Sequence, residues 1–407
     1  MNYSIRFNST TNLKKIDLPA SKSISNRLLI AQALSNNGFQ IEGLSSAEDT
    51  LLLQKALQNS ATEIDVGMAG TAFRFLTAYF SIVEGKRKLF GAKRMHDRPI
   101  GALVELLKEM GAEINYLEKE GFPPLEIRGI KLNGGDFSID SGWSSQFISS
   151  VLLIAPCLQS PLKLRLTGTS VSKPYIQMTL ALIKQLKVAV QFKNDLIEVE
   201  NNGFDFNGTI RVEKDWSSAA FFYQMAAFGV QGIQLNNLNA TSIQGDRDLI
   251  EIFKHFGVET IENTEGIELL KTTDCQSTLE INLLDFPDLI PSIAVCAAVL
   301  MEKCTIHGVD TLRIKESDRV LALQNELAKI GAELKIIDAS SIEIVGSKKL
   351  PETANFEVYN DHRMAMCLAP LAVSMEKIQI QTIEVVKKSF PNFWNELRKI
   401  GFYLSET

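Results

Sequence analysis

One pattern returns along this chain and limits the folds open to it: an amphipathic helical stretch, a glycine or other small residue, a strand, a short polar turn and a second strand. Four copies are clear. They are LVELLKEMGAEINYLEKEGFPPLEIRG from Leu103, LALIKQLKVAVQFKNDLIEVENNG from Leu180, LIEIFKHFGVETIENTEGIELL from Leu249 and LALQNELAKIGAELKIIDASSIEIVG from Leu321, which start about 70 residues apart. In each, the apolar period switches from helical to alternating within a few residues. Weaker versions stand at LLLQKALQNSATEIDVG and, near the carboxyl terminus, at FWNELRKIGFYL. About six units of one kind imply a duplicated α/β architecture.

Composition narrows the function classes. With 407 residues, 45% hydrophobic and 22% charged, the chain has material for two domains of ordinary size, each with its own core. The longest apolar stretches, 147–158 and 290–301, are interrupted by Ser, Gln or Pro and fall short of the roughly 18 to 20 residues of a membrane span. Both are expected to be buried helices, and no membrane partner is expected. The start MNYSIRFNSTTNLKK has no basic region leading into an apolar core, so no secretory signal is read and a cytoplasmic location is expected. The five cysteines are odd in number and scattered, as reduced core thiols would be. Without C-x-x-C or H-x-x-x-H spacing no metal site is expected. A net charge of −6 argues against nucleic acid as a partner, so any anion must be held by locally gathered Lys and Arg.

Such gatherings recur at helix starts. Leu18-Pro-Ala-Ser-Lys-Ser-Ile-Ser-Asn-Arg27 is a strand-to-helix junction in which Ser21 or Ser23 can cap, while Lys22 and Arg27 reinforce the free N–H groups for a phosphate or carboxylate. Gly67-Met-Ala-Gly-Thr-Ala-Phe-Arg74 repeats the logic, with Gly70 allowing close backbone approach and Arg74 pointing back along the first turn. Lys93 to Arg98 packs three cations. Ser144, Ser145 and Gln146 open the FISSVLLIAP helix, and Ser172, Lys173 and Tyr175 mark another strand-to-helix turn.

The second half adds acids. Asp288 precedes an apolar helix, as cap or as base. In Arg313-Ile-Lys-Glu-Ser-Asp-Arg319 a continuous helix would put Lys315 and Arg319 on one face with Glu316 beside them, a carboxylate between cations. Tyr359-Asn-Asp-His-Arg-Met-Ala-Met366 brings His362 and Arg363 to a helix start, and Lys387-Lys388 follows. Each cluster alone has a plain structural reading as a cap or a solvated face. Together they outline a site for multiply anionic small molecules.

No Gly/Ser-rich or Pro-rich linker divides the halves. A strand at GTIRVEKD, 208–215, leads into the SSAAFFYQMAAF helix, so the chain is expected to cross between domains there and again near Ala20. The domains are then 1–19 with 214–407, and 20–213, and the active site is expected in the cleft between them.

The ordered series LPASKSISNR, GMAGTAFR, RMHDRPI, SSQF, VSKPYI, FPD, RIKESDR, NDHRMAM and KKSFP resembles the EPSP synthase family of enolpyruvyl transferases over nearly the whole chain. The resemblance implies an α/β fold of two similar domains, each of three βαβαββ repeats (an inside-out α/β barrel). It implies transfer of the enolpyruvyl group of phosphoenolpyruvate to the 5-hydroxyl of shikimate 3-phosphate, in the route to chorismate, by a monomer with neither metal nor organic cofactor. Carried over by position, Ser23, Arg27, Ser144, Ser145, Ser172 and Lys315 match residues that hold shikimate 3-phosphate. Lys22, Gly70, Arg94, Gln146, Arg319, Arg363 and Lys388 match those around phosphoenolpyruvate, with Lys22 and Gln146 near both ligands. Asp288 matches the carboxylate at the 5-hydroxyl, Glu316 the group that gives and removes a proton at the methylene carbon, and His362 a histidine beside the site. Met68, Phe75 and Thr311 depart from the family's usual Asn, Pro and Asn. Two alternatives are a UDP-N-acetylglucosamine enolpyruvyl transferase and a phosphometabolite-binding relative without catalysis. Against the first, none of the five cysteines lies between Thr71 and Ser150, where that enzyme's loop cysteine would fall. Against the second, Lys22, Asp288, Glu316 and Arg363 are all present.

Overall fold

The computed structural model describes residues 1–8, 13–36, 38–59 and 61–407; residues 9–12, inside the amino-terminal stretch read above for a signal, and Ser60, in the weak copy from Leu51, lie outside it. Two compact units emerge, one of residues 1–19 with 213–407 and one of residues 20–212. No helix among the described residues is long and apolar enough to cross a membrane.

One repeat shows how the sequence builds the unit. In the smaller unit, strand Glu63–Asp65 leads into helix Gly70–Ile82, strand Gly85–Phe90, helix Gly101–Glu109 and the hairpin Glu113–Tyr116 with Leu125–Gly129. The sheet runs in the order first, second, fourth, third, with a parallel pair and two antiparallel ones. The same order recurs over 135–199 and 278–345. Two further copies are completed from afar. Amino-terminal strand Tyr3–Phe7 serves as fourth strand beside Lys377–Ile380 and Phe402–Glu406, which explains why the carboxyl-terminal copy looks truncated. Strand Lys14–Ile16 is the first strand for Ile233–Asn236 and the hairpin 256–275.

The sixth sheet pairs only Gln40–Glu42 with Thr209–Arg211. The weak copy from Leu51 is therefore a different object from the other five: helix Glu48–Gln58 is followed by Glu63–Asp65, which opens the next sheet instead of forming a hairpin.

The two helices of a repeat differ in character. The first is apolar nearly all round, as in Gly70–Ile82, Ser145–Ile154 and Ile290–Leu300, and is buried on all sides. The second is amphipathic, as in Gly101–Glu109 and Arg319–Ala328, and buries one face. The hairpins close through residues suited to them: Asn194 and Asp195, both with positive φ, form the two-residue loop between paired Lys193 and Leu196.

The glycine that ends a hairpin strand has a packing cause. A Cβ on Gly129 would lie 1.7 Å from the carbonyl oxygen of Val83, and one on Gly346 would lie 1.8 Å from that of Met301. Val83 and Met301 are the residues that close the inner helices of their repeats, so the fourth strand passes directly over each helix end. Gly129→Ala and Gly346→Ala should each lower stability by about 2–3 kcal/mol, the range of overpacking against backbone. Shifted urea midpoints would report it, and unchanged midpoints would show that the helix ends yield freely.

Candidate active site

In the smaller unit the helix starts converge. Ser21 caps helix Lys22–Leu34, its Oγ accepting from the Ile24 N–H at 3.4 Å, and Ser144 caps Ser145–Ile154 through the Gln146 N–H at 3.2 Å. The Gln146 amide donates to Thr71 Oγ1 at 3.1 Å, tying that start to the start of Gly70–Ile82. Lys22 Nζ meets Asp49 Oδ2 at 2.9 Å in the first turn of Glu48–Gln58. Ser145 and Ser172 are buried, Ser23 and Gln146 half-buried. Ser172 occupies a left-handed position before Lys173–Gln185 and makes no capping bond, so its hydroxyl is not spent on the helix.

Gly70 sits where two arginines meet. Arg74 NH1 donates to the Gly70 carbonyl at 3.0 Å, the backward reach read from the sequence, and its guanidinium lies over the Phe147 ring. A Cβ on Gly70 would come within 2.4 Å of Arg98 NH1 and 2.8 Å of Arg74 NH1. Arg94, half-buried in the short helix Lys93–Asp97, has Asp97 at 3.8 Å.

Arg27 is buried more deeply than its motif suggests. Its Nε donates to Thr179 Oγ1 at 2.7 Å, NH2 to Ser149 Oγ at 3.1 Å and NH1 to the Ser23 carbonyl at 2.9 Å. Phe75 lies under the guanidinium, 5.4 Å to the ring centre. Burial pulls its pKa down to about 10.

The larger unit holds a closed circuit of charge. Lys388 Nζ meets Glu316 Oε1 at 2.8 Å, and Glu316 Oε2 meets Arg319 NH2 at 2.9 Å. Arg319 reaches Asp288 at 3.4 Å and Asp361 at 2.8 Å, and Asp288 is held by Arg363 NH2 at 2.6 Å. Arg319 is fully buried. Burial alone would lower its pKa, but Asp361, then Glu316 and Asp288, outweigh it and drive it above the ordinary arginine value. His362 is buried next to Asp361, its Nδ1 3.6 Å from that carboxylate. Lys315 is half-buried, at the end of the short helix Asp310–Ile314.

One local reading needs correction. The RIKESDR stretch is not one helix: Asp310–Ile314 ends before Lys315, and Arg319–Ala328 starts afresh because Asp318 caps it through the Leu321 N–H at 3.1 Å. Lys315 and Arg319 thus share no helix face, and Glu316 meets Arg319 across the break. Helix Ile290–Leu300 begins after Leu289, which has no capping side chain, and Asp288 meets arginines through both oxygens, Oδ1 accepting from Arg319 and Oδ2 from Arg363. The unrecognised partners are Asp49, visible only as an acid in a first helical turn, and Asp361, read as part of a motif but without its double duty as cap of His362–Leu368 and counter-ion of Arg319. Among the described residues no group of three or more His, Cys, Asp or Glu is placed to hold a metal ion.

Inner helices starting in hydroxyls and cations in one unit, and in cation-paired carboxylates in the other, define a repeat-built α/β protein equipped to hold small polyanions and move protons beside them. The family model of EPSP synthase (3-phosphoshikimate 1-carboxyvinyltransferase) matches residues 53–397, and the chain belongs to that family. It is 42% identical over 390 residues to a 3-phosphoshikimate 1-carboxyvinyltransferase of Bacteroides fragilis, covering 95% of each chain. Its counterpart in Pseudoalteromonas translucida is 32% identical over 413 residues, covering 95% of this chain and 96% of the relative. The fold is shared with EPSP synthase from Acinetobacter baumannii, with a TM-score of 0.79 at 22% identity over the whole of both chains. The enolpyruvyl transferase NikO from Streptomyces tendae gives 0.77 at 11% identity, covering 100% of this chain and 99% of that one.

The circuit predicts its own fragility. Arg319→Met leaves Asp361, Glu316 and Asp288 without their shared cation and should cost about 3–5 kcal/mol, seen as a lower urea midpoint. A loss under about 1 kcal/mol would mean that these carboxylates do not depend on Arg319.

Proposed function

We propose that these side chains serve transfer of the enolpyruvyl group of phosphoenolpyruvate to the 5-hydroxyl of shikimate 3-phosphate, with release of phosphate. The observation that carries the reading is the Lys388–Glu316–Arg319–Asp288–Arg363 circuit. It supports the reading because two carboxylates, Glu316 and Asp288, stand among cations of the kind a phosphorylated carboxylic acid requires.

The enol carbon of phosphoenolpyruvate becomes electrophilic only when its methylene carbon accepts a proton, and the acceptor hydroxyl must lose one. Glu316 is paired on both oxygens with Lys388 and Arg319, contacts that favour its anion. A bound phosphoenolpyruvate that draws Lys388 and Arg319 toward its own charges raises the Glu316 pKa, so Glu316 takes up a proton from solvent and holds it for the methylene carbon. Protonation of the methylene and attack by the 5-oxygen, its proton taken by Asp288, give a tetrahedral adduct. Return of a methyl proton to Glu316 and departure of phosphate, which carries away the proton held by Asp288, complete the transfer. Lys22, Arg94 and Arg363 oppose the charge that gathers on the phosphate.

Substrate contacts divide by chemistry. Ser23, Ser144, Ser145 and Ser172 offer hydroxyls for the acceptor, with Arg27 and Lys315 for its charges. Gly70 keeps the start of its helix open, and Gln146 reaches toward either ligand. His362, next to Arg363, completes the catalytic set. The reading asks for no second subunit, and the five free thiols suit a reducing cytoplasm.

Phosphate release tests the assignment, measured with phosphoenolpyruvate and shikimate 3-phosphate against a UDP-N-acetylglucosamine control. Release with the first acceptor alone is expected, and release with the second would move the chain to the other enolpyruvyl transfer. Glu316→Gln should lower kcat roughly 100-fold while both KM values stay within about threefold. Near-normal turnover in that variant would transfer the proton role to Asp288 or His362.

A further inference from the structure

The residues immediately before Asp361 take a conformation that their side chains disfavour. Tyr359 and Asn360 have φ of 52° and 54°, and the Asp361 N–H donates to the Val358 carbonyl at 2.7 Å, the pattern of a type I′ turn. Asn tolerates such a position. Tyr rarely takes it, and its cost is of order 1–2 kcal/mol. A strained turn persists only where its surroundings hold it.

What holds it here is Glu326, a fully buried carboxylate on helix Arg319–Ala328. Glu326 Oε1 accepts from the Tyr359 hydroxyl at 2.8 Å, and Oε2 accepts from the Glu357 N–H at 3.0 Å and from Lys329 Nζ at 2.7 Å. Burial pushes the Tyr359 phenol up to about 12, so it keeps its proton and donates. The same helix starts with Arg319, which takes the Asp361 carboxylate on the far side of the turn. Asp361 in turn caps the Arg363 N–H at 2.9 Å. One helix thus grips the turn before and after its strained residues.

We propose that Tyr359, through its bond to Glu326, is a positioning residue for phosphoenolpyruvate: it locks the left-handed turn that sets Asp361 against Arg319 and aims Arg363 at the substrate. Tyr359 touches neither substrate. Its effect travels through the turn to Asp361 and from that cap to Arg363. The inference rests on the reading of Arg363 as a phosphoenolpyruvate ligand, so its test includes that residue.

The experiment is steady-state kinetics on the full-length enzyme with Tyr359→Phe and Arg363→Lys, alongside thermal unfolding. Tyr359→Phe keeps the ring and loses the bond. It should raise KM for phosphoenolpyruvate roughly fivefold to tenfold, the worth of one hydrogen bond to a buried carboxylate, with KM for shikimate 3-phosphate within about twofold. A Tyr359→Phe enzyme whose two KM values are unchanged, or rise together, overturns the proposal, whatever its melting point. If Arg363→Lys raises KM for phosphoenolpyruvate at least tenfold while Tyr359→Phe does not, the clamp alone is wrong. If Arg363→Lys leaves that KM unchanged, the substrate reading of Arg363 falls and the clamp's purpose falls with it.

Discussion

The buried guanidinium of Arg319 is the interaction on which the charge cluster of the larger unit depends. It sits at the start of an outer helix and takes carboxylates from two other places: Asp288, ahead of the inner helix of its own repeat, and Asp361, which caps the inner helix of the next. A charge this deep carries a large desolvation penalty. Lysine has no planar fork with which to meet three acids at once. The repeat architecture answers the penalty by supplying those acids from adjoining helix starts, so that fold and site are stabilised by the same contacts.

The two units solve the problem of a buried cation in opposite ways. Arg319 is compensated by carboxylates, and its proton is held more firmly than usual. Arg27 is surrounded by the hydroxyls of Ser149 and Thr179, by carbonyls and by the face of Phe75, and burial loosens its proton. Hydroxyls satisfy donors without cancelling charge. The first environment holds its acids and cations as mutual partners, so each depends on the others for its charge. The second keeps a positive field beneath the helix starts that carry Ser23, Ser145 and Ser172.

Much of this was legible in the sequence, because helix periodicity and hairpin alternation are local. The four strong copies fall on helix and hairpin pairs, and apolar stretches 147–158 and 290–301 contain inner helices. What escaped was non-local or set by a single cap. The strand that completes the last repeat comes from Tyr3–Phe7, some 370 residues from its neighbours in the chain, and no window of sequence contains both. Glu316 was recognised as a carboxylate among cations, but spacing alone read through the break at Asp318, since a capping aspartate and a helical one look the same until the Leu321 N–H is seen to point at it. Asp49 and Glu326 carried no signal, because a buried acid is identified by its partner and not by its neighbours in sequence.

Local preference and tertiary demand conflict in few places, and Tyr359 is one of them. Many other left-handed positions fall to Asn, Asp or Gly, as at Asn194 and Asp195, although Ser172, Lys187 and Thr382 also take them. At Tyr359 an aromatic residue is held in a conformation it avoids by a carboxylate buried away from solvent. A glycine would make the turn without strain, yet it would also leave the turn free to relax. The phenol makes the turn conditional on helix Arg319–Ala328, and that helix also presents Arg319. The position of Asp361, and with it the direction of Arg363, is therefore referred to the same rigid element that fixes the central cation, which keeps the charges of the site in register with one another.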